Sequence, residues 1–188
     1  HIIGASGTGK SNLLLNCIRQ DMMNGQGMAV LDPHGDLIDT ILKNVPEDRV
    51  GDVILFDPSD EGFPIGFNVL DAHSEVEKTL LSSDLCSVFR RFSTSWGDQM
   101  TAVLSNAILA FLESSKGGTL ADLRKFLVDP SFRKEFLCTV EDPEVVYFWE
   151  NDYKLLSGKP EGSVVTRLNS FLRPKPIRHM VSQRESKL

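Results

Sequence analysis

Apolar positions change their period near residue 72. Before it they come in short runs closed by turn formers. Met28-Ala29-Val30-Leu31 stops at Asp32-Pro33, and Val53-Ile54-Leu55-Phe56 stops at Asp57-Pro58. Between these runs Leu37-Ile38-Asp39-Thr40-Ile41-Leu42 has helical spacing and is closed off by Pro46. His1-Ile2-Ile3 reads as the stub of a strand and Ser11 to Gln20 as a helix. Strand, helix, strand, helix, strand predicts right-handed crossovers and a parallel sheet, hence an α/β class with ligands at the carboxyl ends of the strands.

After residue 72 the spacing is that of helices. Val76, Leu80, Leu81, Leu85, Val88, Phe89 and Phe92 predict one apolar face, and Met100, Val103, Leu104, Ala107, Ile108, Phe111 and Leu112 another. Thr119 with Asp122 has capping-box spacing, while Asp129-Pro130 and Asp142-Pro143 place an N-cap Asp before a Pro at the first helical position. Five or six consecutive helices are expected, with Lys154 to Gly162 as the longest loop. The aromatic residues fall mostly on apolar faces and read as core. Trp96, in the polar turn Ser93-Thr94-Ser95-Trp96-Gly97, is the one best placed to stack on a single-stranded base.

Composition limits the function. The 188 residues are 41% apolar, enough to build a core. Cys17, Cys86 and Cys138 lie far apart with no C-x-x-C spacing, which argues against a disulfide framework or a zinc site and fits a reducing cytosol. No apolar run approaches the ~20 residues of a membrane span, and the chain opens on His1 with no signal peptide, as expected of a fragment of a longer protein. The net charge of -6 disfavours simple nucleic-acid binding, but it is uneven. From Arg167 onward six basic residues (Arg167, Arg173, Lys175, Arg178, Arg184, Lys187) face one acid, Glu185, a local +5 against -11 for the rest. Such a tail either contacts phosphate backbones or forms a solvated surface.

The most specific chemistry lies at the start. Gly4-Ala5-Ser6-Gly7-Thr8-Gly9-Lys10-Ser11 is a complete G-x-x-x-x-G-K-[ST] phosphate-binding loop, the Walker A pattern of P-loop NTPases. Its glycines let backbone N-H groups approach phosphate oxygens. Lys10 offers a cation to the β- and γ-phosphates and Ser11 a hydroxyl to Mg²⁺, while the following helix presents its positive end to the anion. ATP with Mg²⁺ is the expected ligand, and Lys10 the expected catalytic group.

A nucleotide hydrolase also needs a carboxylate near the metal and one to orient water. Asp32 and Asp57 both end apolar runs, yet each Asp-Pro step equally suits a plain turn, and neither Asp is followed by Glu. Asp32 to Gly35 matches D-x-x-G of GTP-binding switches, but no N-K-x-D motif occurs, and a helical lid of over 100 residues would be excessive for a small-molecule kinase.

The segments His1 to Ser11, Gln20-Asp21, Val30 to Leu37, Val53 to Pro58 and Pro64 to Asn68 together resemble the ATPase domain of type IV secretion coupling proteins, the TraG/TraD-type conjugative DNA-transfer motors within the FtsK/HerA-like translocases. Phe132-Arg133 and Phe148-Trp149 resemble positions in that family's all-α domain. The resemblance implies an incomplete RecA-like parallel sheet over residues 1–72, an all-α insert over 73–178, and a return to the nucleotide-binding domain at 179–188. It further implies a ring-forming ATPase, typically a hexamer, that pumps DNA toward a secretion apparatus with relaxosome proteins as partners, cytoplasmic but anchored at the inner membrane by a preceding segment. Gly4, Ala5, Ser6, Gly7, Thr8, Gly9, Lys10 and Ser11 carry over as triphosphate contacts, with Ser11 on Mg²⁺; Asp32 carries over only as a neighbour of the pocket. The family's Mg²⁺-holding Asp and catalytic Glu belong to a later strand, so this chain is expected to bind ATP weakly and not to turn it over alone. Two further readings remain: a non-catalytic helical module that recognises protein or DNA, and a chromosome or repair translocase of the same superfamily.

Overall fold

The computed structural model describes residues 1–187. It divides into two compact units, His1–Ile54 and Leu55–Leu188.

The first unit contains helix α1 (Lys10–Met23), helix α2 (Asp36–Leu42) and a 3-10 turn at Glu47–Asp52. α1 packs on α2, yet only Met22 and Ile41 are buried, while Ile3 is 85% and Leu31 93% exposed. Arg49 closes the unit. Its guanidinium donates to the Met22 carbonyl at 3.0 Å and the Gln26 carbonyl at 3.3 Å, and pairs with Asp52 at 3.0 Å. A cation at the carbonyl end of α1 also opposes the helix dipole.

The expected α/β class is corrected here: the chain is mainly helical, and among the described residues no strands pair into a sheet. The runs Met28–Leu31 and Val53–Phe56, like His1–Ile3, lie outside any hydrogen-bonded ladder. A helix satisfies its backbone within its own segment, whereas a strand needs a neighbour's N-H and C=O groups about 4.8 Å away. Four apolar residues before Asp-Pro fit a strand, but these runs have no ladder partner. Among the described residues the RecA-like parallel sheet is therefore absent, and with it the strand ends on which Asp32 and Asp57 were expected.

The second unit carries the core. Its helices are α3 (Glu75–Arg91), α4 (Asp98–Leu112), α5 (Leu120–Val128), α6 (Pro130–Leu137), α7 (Pro143–Glu150), α8 (Pro160–Phe171) and α9 (Lys175–Val181). α4 lies at the centre, against α3, α5, α7 and α8. Its predicted face is buried at Met100, Val103, Leu104, Ala107, Ile108 and Phe111. Phe111 stacks on Phe136 at a 4.2 Å centroid distance, and Phe126 meets Phe111, Phe136 and Trp149 edge-on, the geometries that ring quadrupoles favour. α3 departs from its predicted face. It keeps Phe89 of that face buried but turns Ser82 and Cys86 inward and leaves Val76, Leu80 and Val88 exposed, as is Phe92 just beyond its end.

Polar side chains set the helix starts. The capping box at Thr119 and Asp122 is formed, and Asp129 and Asp142 accept from the first amides of α6 and α7. The loop expected from Lys154 to Gly162 is shorter, because Asp152–Leu155 forms a 3-10 turn and Pro160 already occupies the first turn of α8. Lys78 bridges Glu75 at 2.6 Å and Glu113 at 3.0 Å, tying α3 to the end of α4.

Residues 55–72 belong to this unit, and residues 180–187 return alongside 64–68. Phe67 N-H donates to the Met180 carbonyl and Lys187 N-H to the Gly66 carbonyl, each at 3.0 Å, and the Gln183 carboxamide donates to the Pro64 carbonyl at 2.9 Å. Gly66 is required by this close approach, since a Cβ there would strike the Glu185 carbonyl.

Candidate functional site

The phosphate-loop sequence forms a shaped turn. Gly7 and Gly9 sit at φ 80° and 85°, the left-handed region that side chains disfavour, so the chain reverses tightly before entering α1 at Lys10. Gly4 has no room for a side chain, because a Cβ would lie 2.7 Å from the Thr8 hydroxyl. Thr8 secures the turn by donating from its hydroxyl to the Ala5 carbonyl at 2.8 Å.

Lys10 folds back across this turn. Its ammonium donates to the Gly4 carbonyl at 2.9 Å and the Ala5 carbonyl at 2.7 Å, which holds the cation over the loop. The α1 N-terminus has no side-chain cap, so its first amides are open to an external acceptor. Ser11 stands exposed in that first turn. One loop thus gathers a cation, uncapped amides and a hydroxyl, a donor set that suits a phosphate chain. The Ser11 hydroxyl would give Mg²⁺ one oxygen, with phosphates and water supplying the remaining ligands. Among the described residues no group of three or more His, Cys, Asp or Glu is arranged to hold a metal ion.

Asp32 is engaged at the start of α2. One carboxylate oxygen accepts from the His34 amide at 3.1 Å and the other from the Leu37 amide at 2.8 Å, so Asp32 caps α2 while Gly35 supplies its left-handed entry turn. These backbone donors hold its pKa below the usual carboxylate value. Asp57 is likewise engaged in a turn, accepting from the Ser59 hydroxyl at 2.7 Å and the Ser59 amide at 2.8 Å, and its pKa is lowered by those two bonds. Both Asp-Pro steps are turns.

Other candidates are tied down by packing. Trp96 is half-buried against the helical core and donates its indole N-H to the Thr101 hydroxyl at 2.7 Å. Within the basic tail, Arg167 donates to the Ser93 hydroxyl at 3.0 Å and the Ser95 carbonyl at 3.3 Å, pinning α8 to the α3–α4 turn. Arg184 reaches the Lys116 carbonyl at 3.4 Å.

Sequence reasoning missed one concavity. α3 places Thr79, Ser82, Ser83, Cys86, Ser87 and Arg90 along one wall of a groove facing α4. Their spacing has the helical period, but a search for apolar stripes passes over hydroxyls.

Comparisons with protein-family models, with curated proteins and with solved structures found no match to this chain.

Proposed function

We propose that this chain is part of an ATP-driven DNA translocase of the conjugative coupling kind, with ATP and Mg²⁺ bound at Gly4–Ser11. The observation that supports the reading is the loop: left-handed glycines, an uncapped helix start and Lys10 folded over the turn. In this reading Lys10 leaves the Gly4 and Ala5 carbonyls for the β- and γ-phosphates. The open amides of α1 receive phosphate oxygens, and Ser11 contributes its hydroxyl to the metal. Lys10 then acts in catalysis by offsetting charge that grows on the transferred phosphoryl group. Asp32 is occupied with the α2 amides, so another carboxylate orients the water. DNA, secretion or relaxosome proteins and further copies in a hexameric ring are the proposed partners. The proposed location is the cytoplasmic side of the inner membrane; among the described residues no helix is long and apolar enough to cross a membrane.

The test is a titration with a fluorescent ATP analogue and Mg²⁺, comparing the unchanged chain with Lys10→Ala. Specific binding lost in Lys10→Ala supports the reading, and in the full motor the same change should slow hydrolysis by about 10²-fold or more. Equal binding by both proteins would overturn it.

A second reading, a helical recognition module for protein or DNA, is favoured by one observation: apart from Met22 and Ile41, the whole buried apolar core belongs to the second unit. DNA binding that persists in Lys10→Ala and falls steeply with salt would support it.

A further inference from the structure

We propose that the groove between α3 and α4 is a binding site for a small organic anion, a planar ring carrying a phosphate or carboxylate, independent of the phosphate loop. The groove has a volume of about 370 Å³, within the range of small-molecule sites. α3 points its hydroxyls and Cys86 toward this space while exposing Val76 by 69% and Leu80 by 57%. Phe89 anchors the helix in the core at 2% exposure, and this rotation leaves the hydroxyl row of α3 beside the groove.

The lining divides by chemistry. Cys86 and Leu109 give the groove apolar surface, and Trp96 gives it an aromatic wall whose indole edge is fixed on Thr101 at 2.7 Å. Such a wall suits a planar ring, and its fixed edge means that little ordering is lost when the ring docks. Around it stand hydroxyls. Ser83, Ser87 and Arg90 are exposed along the groove, and among the described residues their side chains have no protein hydrogen-bond or ion-pair partner, so they are free to face a ligand. Arg90 is the only cation lining the groove. Its planar fork matches phosphate or carboxylate oxygens, and Ser83 and Ser87 can donate to the same group. Ring on Trp96 and anion on Arg90 is the arrangement that satisfies both walls.

The experiment follows the indole N-H signals of the chain by NMR. Trp149 is buried elsewhere and serves as the internal control, and Trp96→Phe assigns the other signal. Phenyl phosphate and benzoate are titrated as the two anionic probes, with inorganic phosphate and benzyl alcohol as the anion-only and ring-only controls. A saturable shift of the Trp96 signal is expected in the millimolar range for at least one anionic probe, with Trp149 still. Arg90→Gln should weaken that binding about tenfold, as loss of a charged hydrogen bond does, while leaving both signals folded. Ser83→Leu should abolish it by filling the groove. No saturable Trp96 shift with either anionic probe would overturn the proposal, as would equal binding of benzyl alcohol or undiminished binding by Arg90→Gln. Because the groove makes no use of Gly4–Ser11, repeating the titration in Lys10→Ala separates its outcome from that of the nucleotide reading.

Discussion

Asn68 and Arg184 are 116 residues apart in sequence, yet the Asn68 carboxamide donates to the Arg184 carbonyl at 3.1 Å. The same side chain donates to the Gly118 carbonyl at 3.2 Å and accepts from the Leu70 amide at 3.1 Å. One buried Asn therefore holds three separate backbone segments, and both ends of the helical unit meet beside it.

Asn68→Ala should accordingly cost about 2–3 kcal/mol, because it strands buried backbone groups rather than removing an exchangeable surface bond. Urea unfolding followed by tryptophan fluorescence measures that loss. Hydrogen exchange at the Phe67 and Lys187 amides should accelerate before the core amides of α4 do. An unchanged urea midpoint would show that the strap contributes nothing to the unit's stability.

Cys86 offers a pH test with a definite direction. It is 8% exposed, and burial raises its thiol pKa from 9.0 to about 11. In the folded chain the neutral thiol is favoured, while the unfolded chain ionises from about pH 9 upward. Below that window the group is neutral in both states and adds no pH dependence. Between about pH 9 and 11 the unfolded state binds fewer protons, so the stability due to Cys86 should fall with rising pH. Cys86→Ser should flatten this slope. At pH 8 a thiol reagent should modify exposed Cys17 and Cys138 first and Cys86, 8% exposed with its thiol held neutral, more slowly, the difference vanishing in denaturant.

What the sequence made legible was local. The glycine turn leading into α1, the N-caps at Thr119, Asp129 and Asp142 and the buried face of α4 are each decided by residues within a turn or two of each other. The errors arose where the deciding partner is distant. Val53-Ile54-Leu55-Phe56 has a strand's composition, but a strand is a relation between two segments, and this one has no ladder partner. Likewise, Val76, Leu80 and Val88 belong to a helix, but the face that α3 buries follows from its packing on α4. Asp32 left two readings open in the sequence, a pocket carboxylate or a turn, and the structure adds that it accepts from the amides of His34 and Leu37 at the start of α2.

That assignment of Asp32 is open to measurement. Asp32→Ala should fray the start of α2, seen as faster hydrogen exchange at the Leu37 amide. In the unchanged chain the cap is complete while Asp32 is ionised. Its folded pKa is lowered, so protection of Leu37 should hold through the usual carboxylate range and be lost as pH falls through that lower value. If Asp32→Ala instead left Leu37 protection intact, the cap would not be its role.

Arg133 provides the strongest test of the helical core. Its guanidinium donates to the Phe126 carbonyl at 3.1 Å and the Leu127 carbonyl at 3.3 Å, closing the last turn of α5. The same group lies 5.4 Å from the Trp149 ring centroid and 4.9 Å from that of Tyr153. It thus joins α5, α6 and α7 through contacts that need a flat, permanently charged fork. Burial, the largest influence on Tyr153, raises the phenol pKa, with Arg133 opposing it. Arg133→Ala should therefore cost about 2–4 kcal/mol, the sum of two charged hydrogen bonds and partly desolvated cation–π contacts less the charge's own desolvation. Arg133→Lys keeps the charge but not the fork, and should recover less than half of that loss. Thermal unfolding of the two variants, read at Trp149, gives the comparison. Full rescue by Lys would mean that charge alone, and not the planar clamp, secures the end of α5.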